Sequence, residues 1–176
     1  MGYSGDMTES HSELRIPADR AFIVVAKRSA AAFAAVAGLP IEAIEDVVIA
    51  VAQACDHAIT RLHHSVGVGG GQLRLDFRLQ GQRIDVQVRS VCSRAEVETA
   101  RLRREALIEH KVLSQRRRAL LAEQREGRDE AREHEEARAA GELAIQVMGL
   151  FVDDFGYRAD DRTGAMRVRL TKYRVS

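Results

Sequence analysis

Apolar and polar positions alternate with different periods along the chain, and each change of period marks an element. Glu13-Leu14-Arg15-Ile16 alternates in twos, as a half-buried strand does, and Pro17 ends it. Asp19 is placed to cap a helix over Ala21 to Val36, which is so dense in Ala, Val and Phe that its burial is expected to be nearly all round. Gly38 stops that helix, and Pro40 starts a second one running to about Leu62, with Ile44, Val47, Val48, Val51, Cys55 and Ile59 on one face. A glycine-rich connection, Ser65 to Gly71, leads into two alternating runs, Leu73 to Leu79 and Ile84 to Val88, joined by Gln80-Gly81-Gln82-Arg83 as a hairpin.

From Arg94 to Ala139 the pattern gives way to Arg, Glu, Ala, Leu and Gln, which predicts one long helix or a helical hairpin with a break at Gly127. Leu102, Ala106, Leu113 and Leu120 recur near heptad spacing, so the first half has a face to pack, whereas Glu123 to Ala140 holds nothing apolar larger than alanine and reads as solvated. A short apolar helix, Leu143 to Val152, then precedes Asp153-Asp154-Phe155-Gly156-Tyr157, an Asp161-Arg162-Thr163-Gly164 turn and a closing strand, Ala165 to Leu170. Without regular βαβ alternation this order predicts an α+β fold, a two-layer sandwich of a mainly antiparallel sheet with helices on one face. Residues 1–12, rich in Gly, Ser, Asp and Glu, read as a disordered tail, residues 13–173 as a single domain, and 94–140 as a charged helical insertion within it.

The 176 residues suffice for one such domain and its own core. With 27 basic and 26 acidic side chains the formal charge is +1, which supplies no global field for nucleic acid or anionic membrane. Cys55 and Cys92 each sit in an apolar stretch, as buried thiols of a reducing compartment do. The polar, acid-bearing start lacks the form of a signal peptide, and no apolar run is long enough to span a bilayer, so a cytoplasmic protein is expected.

Candidate chemistry is sparse. His57 has no second histidine or carboxylate at ligand spacing on its helix, and His63 and His64, being adjacent, diverge, so neither pattern points to a metal. Gly69-Gly70-Gly71 lacks the Lys-Ser/Thr of a phosphate loop and leads into a strand. The basic stretch containing Arg101, Arg103, Arg104 and Arg116 to Arg118 is diluted by Glu105 and Glu109 and carries no aromatic residue to stack on bases, which reads as a solvated face.

The second helix, Ile44-Glu45-Asp46-Val47-Val48-Ile49-Ala50-Val51-Ala52-Gln53-Ala54-Cys55-Asp56-His57-Ala58-Ile59, resembles the N-box helix of the RsbW and SpoIIAB type anti-sigma-factor kinases, members of the GHKL (Bergerat-fold, histidine-kinase-like) ATPases. Glu13-Leu14-Arg15-Ile16-Pro17-Ala18 is similar to the start of that family, and Met166 to Tyr173 to its closing strand. The resemblance covers residues 13–93 and 141–173, and the charged segment falls where the family carries its mobile ATP lid.

The resemblance implies a nucleotide site, and this chain departs from it at each motif. Where the family has a catalytic glutamate and a Mg²⁺-binding asparagine, it has Gln53 and His57. Glutamine cannot accept a proton, and neutral imidazole is a poor ligand for a hard cation. The adenine-binding aspartate of a D-x-G pattern is replaced at Ser90-Val91-Cys92, and the glycine turn that admits phosphates aligns with Glu142-Leu143-Ala144, placing a carboxylate where anions would sit. No catalytic or metal-binding residue and no cofactor is therefore expected. Family resemblance implies a partner-switching regulator that sequesters a sigma factor or binds an anti-anti-sigma protein of the STAS type, through the first helix and neighbouring sheet, where a second copy could also pair. Two alternatives stand: an active serine/threonine kinase using ATP and Mg²⁺, and a coiled-coil scaffold built on the charged segment.

Overall fold

The computed structural model describes residues 9–118, 139, 141–160 and 164–174. Five strands form one sheet: β1 (Ser10–Pro17), β2 (Gln72–Gln80), β3 (Arg83–Val91), β4 (Asp154–Ala159) and β5 (Met166–Tyr173). The helices are α1 (Ile23–Val36), α2 (Ile41–Val66), α3 (Arg94–Arg118) and α4, over 141–150. The strand order is β1-β2-β3-β5-β4 and all four pairings are antiparallel. This is the α+β architecture with an antiparallel sheet that the sequence predicts.

The core lies between the sheet and the helices, and period-two alternation decides which strand residues reach it. Leu73, Leu75 and Phe77 of β2, Ile84, Val86 and Val88 of β3, and Met166, Val168 and Leu170 of β5 are buried on the helix side. Against them α2 presents Val47, Ala50, Val51, Ala54, Cys55, Ala58, Ile59 and Leu62. The 3.6-residue period aligns these positions on one stripe, and Ile44 and Val48 flank it half-buried, so the facing read from the sequence holds.

Five expectations change. The strand begins at Ser10 rather than Glu13, because Ser10, His11 and Ser12 pair with Leu79, Arg78 and Phe77; of the expected 1–12 tail, residues 1–8 lie outside the described residues. Asp19 caps a short 3₁₀ turn, Arg20–Phe22, by accepting from the Ala21 amide at 2.9 Å, and α1 follows it. Burial of α1 is one-sided: Ala26, Ala30 and Ala34 pack inward, while Val24 and Val25 are 49% and 40% exposed. Its alanines face inward, Ile23 and Phe33 are half-buried with the Phe33 ring 5.4 Å from that of Phe77, and Val24, Val25 and Val36 are left outside.

Phe155-Gly156-Tyr157 belongs to a fifth strand at the sheet edge, with Tyr157 opposite Val168. In α3, Ala100 is buried and Val97 packs against the core, whereas Leu102, Ala106, Leu107 and Ile108 are exposed. The expected packing face of the charged segment is thus not used against this domain over those residues. Residues 119–138, which include Leu120, Gly127 and most of the second half, lie outside the described residues.

The break between β3 and α3 is fixed by a capping box. Ser93 Oγ accepts from the Glu96 amide at 3.1 Å, and Glu96 returns Oε2 to the Ser93 amide at 2.6 Å. Its Oε1 accepts from the Gly71 amide at 3.0 Å, which locks the glycine-rich connection to the start of α3. These backbone and hydroxyl donors hold the Glu96 carboxyl below its ordinary pKa.

Candidate functional site

The positions that the resemblance assigns to nucleotide chemistry lie on α2, at the end of β3 and at the start of α4. Gln53 and His57 are one turn apart on α2. Gln53 is half-buried, and His57, at 8% exposure, is closed in on two sides. Its Nε2 lies 3.3 Å from the Tyr157 hydroxyl of β4, with the two rings 5.9 Å apart. From the α4 side, the backbone of Gly141 approaches so closely that a Cβ there would stand 3.1 Å from the His57 ring.

Burial lowers the His57 pKa, the Arg61 guanidinium lowers it further, and Asp56 opposes them. The imidazole is therefore held neutral in a packed setting, where one nitrogen serves Tyr157. A hard cation would need oxygen ligands in its place. Among the described residues, no three His, Cys, Asp or Glu side chains gather as a metal-holding group.

Ser90 is bound into the sheet. Its hydroxyl accepts from the Met166 amide at 2.7 Å and lies 3.5 Å from the carbonyls of Gly164 and Met166. The side chain that the resemblance would put at an adenine anchor is thereby committed to β5. Cys92 is half-buried, with its thiol pKa raised by burial and by Glu96, while the fully buried Cys55 thiol is pushed up to about 12 by burial and Asp56. Neither is disposed to be a thiolate at neutral pH. Glu142 is exposed and Ala144 half-buried on α4.

The structure thus brings His57 together with the start of α4 and with Tyr157, while Ser90 is engaged by β5. His63, beside them on α2, is bound to the Ala18 carbonyl at 2.9 Å, tying α2 to the end of β1. Tyr157 and Gly141 are the contacts that sequence reasoning missed. Phe155 and Tyr157, alternating across Gly156, carried the strand signal for the first; nothing local signalled the second.

The fold defines an α+β protein with helices packed on one face of an antiparallel sheet. No protein-family model matches the chain, and no curated protein matches its sequence.

Proposed function

We propose that the chain is a regulatory binding protein of the anti-sigma type with a histidine-kinase-like ATPase fold, acting by occupying a partner without turning over ATP. The observation that carries this reading is the internal engagement of the would-be nucleotide groups. His57 is committed to Tyr157 and closed over by Gly141, and Ser90 accepts the Met166 amide. A Mg²⁺-nucleotide complex would have to displace both, and neither Gln53 nor His57 offers it a general base or a hard ligand.

The partner on this reading is a sigma factor or a STAS-type anti-anti-sigma protein, met through α1 and the neighbouring sheet. The exposed Val24 and Val25 on α1 supply apolar contact area of the kind such an interface uses. The charged segment 94–140 stands in place of an ATP lid.

Affinity capture of the full chain from the native cytosol, with and without nucleotide depletion, tests this. The expected result is a sigma factor or STAS protein recovered in equal amount under both conditions and unphosphorylated. Recovery that requires ATP, or a phosphorylated partner, would favour the kinase alternative.

A further inference from the structure

The face of the sheet turned away from the helices carries a row of arginines that crosses all five strands. The register pairs Arg15 with Arg74, Arg74 with Arg89, Arg89 with Arg167, and Arg167 with Arg158. With strands about 4.8 Å apart, five cations stand in line over roughly 19 Å. Like charges directly opposite one another on adjacent strands repel, so such a row needs counter-charge.

The fold supplies it at one end only. Glu13 takes Arg15 at 2.6 Å and Arg74 at 2.5 Å, and Asp76 takes Arg74 at 3.2 Å and Arg89 in a close ion pair. Asp76 is 2% exposed. Burial pushes its carboxyl up, but the Arg89 and Arg74 guanidinia overcome that and hold it below its ordinary pKa. At the β5–β4 end, Arg167 and Arg158 are exposed and no carboxylate among the described residues pairs with either. Arg74 and Arg89 each also keep a buried Nε–H without a hydrogen-bond partner.

An open depression of about 410 Å³ lies at this under-neutralised end, where Arg74, Arg89, Arg158 and Arg167 set four cations against one acid in the lining, Asp160, with Ser90 and Met166 among its walls. Its size suits a small ligand. Guanidinium forks bind phosphoryl oxygens in pairs, and neighbouring forks at cross-strand spacing suit an anion with more than one charged centre. A monocarboxylate would leave most of these donors unused.

We propose that this end of the row is a binding site for a small phosphate-bearing ligand of the diphosphate or polyphosphate class, with Arg158 and Arg167 as its principal ligands and Arg89 as a shared one. The site lies on the opposite side of the sheet from His57 and Gln53, and it would stand whatever becomes of the anti-sigma reading.

Calorimetric titration of the full chain with inorganic pyrophosphate and tripolyphosphate, at about 0.15 M salt, where surface charge is screened beyond about 8 Å, tests the proposal. One saturable site is expected, weakened at least about tenfold by Arg158→Gln with Arg167→Gln and unchanged by Arg28→Gln on α1. Because no carboxylate among the described residues pairs with the two arginines, their removal relieves like-charge repulsion, and the double variant should melt no lower than the parent. The absence of saturable binding would overturn the proposal. So would equal weakening by Arg28→Gln, or a fall in melting temperature that marked the pair as structural. A phosphoserine peptide that binds where pyrophosphate does not would overturn the assignment to a small ligand.

Discussion

The two faces of this sheet are made by the same strands, from residues in strict alternation, yet they are held by different physics. On the helix side Leu75, Val86, Val88 and Val168 are buried against α2, and side-chain identity matters through volume and shape. On the outer side Arg74, Arg89 and Arg167 stand in like-charged register, so the strands are kept together despite those contacts, by their backbone ladders and by Glu13 and Asp76. One face is covered by the helices. The other carries charge that its own carboxylates do not balance, and a surface of that kind is disposed to bind something else.

The largest effect that would sharpen this contrast is on the apolar side. Val51→Asp puts an unpaired carboxylate at a fully buried α2 position, at a cost of several kcal/mol against a typical total of roughly 5 to 15, and the variant should not fold cooperatively. Soluble protein with an unchanged urea midpoint would break the assignment of the faces. Asp76→Ala, on the charged side, leaves Arg74 and Arg89 facing each other without their shared acid. Those guanidinia are partly solvated, so a loss of about 1 to 2 kcal/mol is expected, read from the same urea midpoints and reduced by added salt.

A third prediction concerns pH. The folded His57 pKa lies below its ordinary 6.5, so the contribution of neutral His57 is complete above pH 6.5 and is lost as pH falls through the folded value. The depressed Asp76 and Glu96 carboxyls act at lower pH: their stabilisation is present above their ordinary values of 3.8 and 4.5 and is lost as pH falls through the folded ones. Urea midpoints should therefore decline in two stages on acidification, with His57→Gln flattening the upper stage and Glu96→Gln the lower. The smallest effect is expected at Leu102 of α3, which is 57% exposed: Leu102→Gln should shift stability by no more than about 0.5 kcal/mol. A larger loss would place this seam against the domain after all.

Much of the apolar face was legible in the sequence, because burial on α2 and on β2 and β3 follows a period that local pattern reveals. The facing of α2 could be read from Val47, Val51, Cys55 and Ile59 alone. What escaped is non-local. The outward turn of α1 follows from how closely its alanines approach α2, and an apolar composition cannot say which side of a helix is covered. The edge strand β4 is short and interrupted by Gly156, so its alternation is weak, and the heptad pattern of α3 begins with Leu102 and Ala106, which the body of the protein leaves exposed. Among the candidate positions, the residue types at Gln53, His57 and Ser90 could be read directly, but the engagement of His57 by Tyr157 and Gly141 and of Ser90 by Met166 depends on contacts far apart in the chain. The arginine row belongs to the same class: its members lie on separate strands, and only the register aligns them.

The most direct test of the account is calorimetric titration of the Arg158→Gln, Arg167→Gln double variant with ATP at millimolar concentration, with and without Mg²⁺, beside the same titration with tripolyphosphate, which reads whatever phosphate binding the outer face retains. If the helix-side site is closed by His57, Tyr157 and the start of α4, ATP gives no saturable heat beyond that of tripolyphosphate under either condition. Saturable binding that requires both adenine and Mg²⁺ would contradict the claim that this protein works without nucleotide.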